Sequence, residues 1–350
     1  MLLLLVVGCS QTSQQTETVP TQPVAKTTAT PTEAAFPSGT LLVADKAKAE
    51  LFVFHLPARE PVATLPTGIG PHEIAVSHDG ALAVVSNYGE QNPGNTLTVV
   101  DLAKNEVVRT IDLGEHRRPH GSRFRPGTHE LVVTTEESQH VLRVDVDRGE
   151  IAAAVPTQQP ASHMVVLAPD GRRAYTTNIV AGTVSELDLD AGEHLRTIEV
   201  APMAEAIAIT RDGSALWVGS NAAHTIRVVD LGTGRVTDTI EAKGTPIRVE
   251  LTPSQDRAVA SAAEGGVLHV FDVARRAPIV SIDLPLPERP VPPGPGNSSV
   301  PIGIAFASDS IAFVSLARAG EVAVVDLERA QLSTRIDAGD HPDGIAFAPS

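Results

Sequence analysis

One short phrase recurs seven times in this chain, and the spacing of its copies constrains the fold more than any other feature. The copies PHEIAVSHDG, PHGSRFRPGT, SHMVVLAPDG, AEAIAITRDG, PIRVELTPSQ, PIGIAFASDS and PDGIAFAPS begin at residues 71, 119, 162, 204, 246, 301 and 342, at offsets of 48, 43, 42, 42, 55 and 41 residues. A recurrence of this length marks an array in which each unit is one supersecondary piece that packs only on its neighbours. Inside each unit the apolar residues alternate with period two and Gly, Asp, Asn and Pro punctuate them, which predicts short antiparallel strands joined by tight turns and no helix. Four strands in each of seven units predict an all-β fold, a seven-bladed β-propeller.

The ends of the array agree with that count. Its first unit, LLVAD, ELFVFHL and EPVATLPT, lacks an inner strand, while the last residues, Gly344 to Ala348, are an inner strand without a blade. Pairing the C-terminal strand beside Leu41 to Ala44 closes blade 1 and covers two edges that otherwise invite aggregation. The propeller is expected over residues 38–350.

What precedes it has a different composition. Met1 to Val7 is apolar and ends in Val6-Val7-Gly8-Cys9, which resembles the lipobox of bacterial lipoproteins; the resemblance implies lipidation at Cys9, the sole cysteine. Residues 10–37 form a Gln/Thr/Pro/Ala tract with too little apolar surface to fold, the composition of a flexible tether. The segments 1–9 and 10–37 thus predict an exported protein, lipid-anchored in the bacterial cell envelope, touching membrane only through its N-terminus and otherwise a monomer. A net charge of −15 and an aromatic content of 3% argue against nucleic acid, by repulsion of phosphates and by lack of stacking platforms.

Strand direction sorts the loops onto two faces. Face two receives the short turns HDG, APDG and RDG; face one receives the loop Tyr88 to Asn95, the connections between blades and the Pro-rich stretch 285–300, read as a lid or a disordered insertion. The second letter of the repeated phrase lies on face one, and it reads His72, His120, His163, Glu205, Ile247, Ile302 and Asp343. The second strands end there as well, at Asp45, Asn87, Glu136, Asn178, Asn221, Ala263 and Ala317. The channel mouth is therefore expected to be polar over blades 2 to 5 and apolar over blades 6 and 7.

The phrases AVSHDG, VLAPDGRRAYTTN, TRDGSALWVGSN and TLTVVDL resemble the YVTN-type (YncE-like) bacterial β-propeller repeat, over about residues 38–350. That resemblance implies the fold but not an activity, because the family includes surface-layer, binding and lactonase-like members.

Two readings of the mouth follow. In the first, the propeller is a binding module without catalysis that takes a small molecule, a peptide or an envelope protein. Asn87, Tyr88, Arg117, Arg118, Asn178 and Asn221 would contact that ligand, the arginines fixing a carboxylate or phosphate. In the second, it is a metal-dependent hydrolase or lactonase-like enzyme. His72, His120, His163 and Glu136 would then hold zinc, copper or iron, with Glu136 or Glu205 as general base. A plainer account of the histidine register is that polar residues cap the inner strands and that repeat duplication copied them. There is no GxSxG, phosphate-binding glycine loop or CxxC.

Overall fold

The computed structural model describes residues 37–294 and 296–350; Cys9 and the tether lie outside the described residues. Among them are 28 strands, numbered in chain order, and no helix. They form seven four-stranded antiparallel sheets, the seven blades. Each sheet faces its neighbours, so the core is a series of layers between blades. One layer joins Leu97, Ile111 and Val99 of blade 2 to Leu131, Leu142 and Val144 of blade 3, and another joins Trp217 of blade 5 to Phe271 of blade 6. Alternation along each strand supplies both layers at once, which is why the period-two pattern stays apolar on both faces of the middle strands.

The ring closes as its ends require. The C-terminal strand β28 (Pro342–Pro349) pairs with β1 (Gly39–Asp45), and β2 (Glu50–Leu56) and β3 (Ala63–Pro66) complete blade 1. Asp45 secures the junction by accepting the backbone N–H groups of Asp340 at 2.7 Å and His341 at 3.1 Å.

Two repeated devices set the hairpins. An aspartate ending the third strand accepts N–H groups from the turn that follows: Asp101 from Lys104, Asp145 from Arg148, Asp188 from Ala191, Asp230 from Thr233, Asp272 from Arg275 and Asp326 from Arg329. On the other face, the residue two before six of the seven registered positions takes a left-handed conformation, at Gly70, Arg118, Ala161, Met203, Thr245 and Val300.

Two expectations differ from what is observed. Tyr88 to Asn95 is a continuation of the hairpin, with Gly89 paired to Pro93, because β5 (Leu82–Gly89) and β6 (Pro93–Asp101) run past their neighbours' length. The described residues of the 285–300 stretch are tied down rather than loose: Arg318 of blade 7 donates to the carbonyls of Pro292 and Gly296, each at 2.9 Å, Ser298 donates to the carbonyl of Ala263 of blade 6, and Pro285 bridges Ser298.

Candidate functional site

The inner strands begin at face one: β4 (Pro71–Val76), β8 (Pro119–Phe124), β12 (Ser162–Leu167), β16 (Ala204–Ile209), β20 (Pro246–Leu251), β24 (Pro301–Phe306) and β28. Their second residues are the registered positions. A hydroxyl from the preceding blade holds the backbone there: Thr134 donates to the carbonyl of His163 (2.5 Å), Thr177 to Glu205 (2.7 Å), Ser261 to Ile302 (2.6 Å) and Ser315 to Asp343 (2.6 Å). Gly121 and Gly344 let adjacent inner strands approach, since a Cβ on Gly121 would meet Met164 Cα at 2.7 Å and one on Gly344 would collide with the His72 carbonyl.

These constraints bring the three imidazoles together. The ring centroids of His72 and His120 are 4.1 Å apart and those of His120 and His163 3.7 Å, while Tyr88 stands edge-on to His72 and His120 at 5.4 and 5.5 Å.

Their partners differ sharply. His163 donates to Glu136 through Nδ1 and has Glu205 3.5 Å from Nε2. Burial works against its charged form, but these two carboxylates outweigh it and push its pKa up to about 9, so His163 is an imidazolium. Burial likewise opposes ionisation of Glu136 and Glu205, yet His163 beside both holds them below the ordinary carboxylate range, with Tyr88 donating to Glu136 and Asn221 to Glu205. Tyr88 is pushed up by burial and by Glu136 and remains a phenol. Burial, with His163 and His72 nearby, drives His120 well below the usual histidine range. His120 is fully buried and neutral, and neither of its ring nitrogens has a hydrogen-bond partner. On the His72 side, Nδ1 lies 3.0 Å from Asp343 Oδ1, and, against the burial of Asp343, His72 beside it holds that carboxyl well below the ordinary range. Lys46 sits 3.2 Å from Asp343.

The placement of the second-strand ends departs from the sequence reading by one residue in blades 1, 2 and 4, where Asp45, Asn87 and Asn178 were expected at the mouth. The ladder pairs Pro71 with Asn87 and Ser162 with Asn178, but Pro119 with Thr135 and Ala204 with Ser220. The equivalent positions one step further on are Lys46, Tyr88, Glu136, Ile179, Asn221, Ala263 and Ala317, whose N–H groups all bond the chain just before an inner strand. It is this set that rings the mouth. Asn87 and Asn178 fall inside their blades: Asn87 bonds Thr96 and Thr98, and Asn178 bonds Ser162, Thr183 and Ser185. Arg118 lies 4.7 Å over the Tyr88 ring, a cation–π contact that places it at the mouth. Arg117 is exposed in the adjoining loop.

Sequence reasoning missed the floor of this site. Glu73 of blade 2 pairs with Arg248 of blade 6, and Arg123 of blade 3 pairs with Glu250 of blade 6 at 2.6 Å, both across the axis. Charged residues in these inner strands, where other blades carry Gly, Ala, Met or Val, were the available signal. Burial opposes the charge on Arg248, but Glu73, Glu205 and Asp343 keep it firmly protonated. Below the Arg248–Glu73 pair, towards face two, lies a cavity of about 310 Å3 walled by Phe124, Phe306, Ile345 and Phe347.

The donor atoms form two overlapping groups, His72–Glu73–His120 and His120–Glu136–His163, within each of which the atoms lie no more than 4.8 Å apart. Imidazole and carboxylate donors of this kind suit zinc, copper or iron. Fold and site together define a seven-bladed propeller with histidine and carboxylate donors gathered at the axial mouth.

Comparison with known proteins bears on the fold alone. No family model matches the chain. Two curated proteins, each named uncharacterized protein YncE, from Salmonella typhimurium and Salmonella typhi, are 26% identical to it over 130 residues. The match spans 36% of this chain and 36% of each relative, about a third of their length. Hydrazine synthase from Kuenenia stuttgartiensis superposes with a TM-score of 0.68 at 19% identity, over 79% of this chain and 89% of that one, a likeness of fold alone.

Proposed function

We propose that the protein is a metal-binding propeller module of the bacterial cell envelope, whose face-one mouth presents a bound transition metal to a small molecule, peptide or envelope protein. The observation that carries this reading is His120: a neutral imidazole with both nitrogens buried and unpartnered, among ionised carboxylates. A buried polar atom without a partner costs about 1–3 kcal/mol, and a metal ion bound by His120 removes that cost at the nitrogen it takes. The envelope location rests on the lipobox-like sequence at Cys9.

Elemental analysis of the purified protein tests it. At least one equivalent of zinc, copper or iron is expected after dialysis against the metal, and its loss in His120→Ala; a parent that retains less than half an equivalent refutes the module.

A second reading, a metal-dependent hydrolase or lactonase-like enzyme, is favoured by Arg118, whose guanidinium beside the donors can hold a substrate oxyanion. Glu136 and Glu205 serve it better as ligand and counter-ion than as bases, since both carboxyls are held low. Metal-dependent lactone hydrolysis abolished by His120→Ala would establish it, and metal binding without turnover would leave the binding module.

A further inference from the structure

We infer that the mouth holds two metal ions rather than one, with the His120 imidazole bridging them. The inference rests on the metal-binding reading above and adds its stoichiometry and ligand sets.

Four ligands converging on one point were expected from the sequence. Instead, no donor group within 4.8 Å contains both His72 and His163, or both His72 and Glu136; the donors separate into one group on the His72 side and one on the His163 side. His120 belongs to both. Its two ring nitrogens, on opposite edges of the ring, are both buried and both unpartnered. A single ion would use one of them and leave the other orphaned at the cost of an unsatisfied buried group, whereas two ions use both.

Each side carries a supporting carboxylate. On the first, Glu73 joins His72 and His120, and Asp343 Oδ1 lies 3.0 Å from His72 Nδ1. On the second, Glu136 joins His120 and His163, with Glu205 behind His163. Four carboxylates, Glu73, Glu136, Glu205 and Asp343, face four cations, Lys46, Arg118, Arg248 and protonated His163, so the mouth turns net negative once a metal ion displaces the His163 proton.

Bridging has a defined proton balance. Neutral His120 holds one N–H and the His163 imidazolium two; as both ions bind, each ring passes one proton to the buffer, so that both His120 nitrogens and one His163 nitrogen donate lone pairs to metal. No bond to carbon forms or breaks and no electron is transferred.

The test is a titration of the purified full chain with zinc, read by calorimetry and elemental analysis, and with copper(II), read by electron paramagnetic resonance. Circular dichroism confirms that each variant folds. The parent is expected to bind two zinc ions, His72→Ala and His163→Ala one each, and His120→Ala none. With copper, the signal should grow to one equivalent and then fall as the second ion couples to the first through the ring. One ion per parent chain overturns the bridge and leaves the metal module standing; none overturns both. Two uncoupled copper signals, or complete loss of zinc in both His72→Ala and His163→Ala, also overturn the bridge.

Discussion

Replacing Arg248 by Met is expected to destabilise the propeller by more than any surface substitution. Arg248 and Glu73 are 4% and 7% exposed, and they join blades 6 and 2 across the axis. The substitution roughly preserves volume and strands a buried carboxylate, at a cost of about 3–5 kcal/mol. For a chain of this size each kcal/mol moves the melting temperature by about 2 °C, so a fall of roughly 6–10 °C is expected. A double variant, Glu73→Leu with Arg248→Met, removes both charges and should recover to within about 1 kcal/mol of the parent, because apolar replacement of a buried pair is often close to neutral. Thermal melts and urea titrations of the parent, both single variants and the double give the coupling directly. A loss under about 1 kcal/mol in Arg248→Met, or a double variant no better than the sum of the singles, refutes the reasoning.

Three more outcomes follow from the same geometry. Removing residues 342–350 takes away β28 and exposes the edge of β1, so the truncated chain should lose its cooperative melt and aggregate on size exclusion; melting within about 3 °C of the parent would contradict non-covalent ring closure. Asn178→Ala should cost about 1–3 kcal/mol by removing its buried hydrogen bonds to Ser162, Thr183 and Ser185, yet leave metal binding unchanged; a change in metal content with an unchanged melt would return Asn178 to the mouth. In protein kept metal-free, His163 contributes stability on the order of 3 kcal/mol, because its folded pKa of about 9 lies above the unfolded value of about 6.5. That contribution is complete below about pH 6.5 and is lost as pH rises towards 9; His163→Gln should lack the decline, and a parent melt that is flat from pH 6.5 to 9 would argue against the ion pairs.

The fold was legible because a propeller writes its symmetry into the chain: alternation gave the strands, the spacing gave the blades, and the mismatched ends gave the closure. The histidine register was legible for the same reason, since a repeat places equal positions at equal distances from the axis. What failed was local. Glu136 and Asn221 were aligned with Asn87 and Asn178 as polar letters at strand ends, whereas the ladder defines the end by its partner and aligns Thr135 and Ser220 there instead. That single step decides between a side chain in the mouth and one inside a blade. The floor was hidden for a different reason: Glu73 and Arg248 are 175 residues apart, and no periodicity predicts which of seven inner strands will face another across the channel. Division of the donors into two groups is likewise a matter of ångströms and ring orientation.

The hydroxyls of Thr134, Thr177, Ser261 and Ser315 grip only the main chain of the next blade, and so they are indifferent to which side chain stands at the position they fix. Ile302 is carried by the same clamp as His163. The scaffold therefore separates where a group is offered from what that group is, and a redesigned mouth can be written one blade at a time without disturbing the frame that presents it.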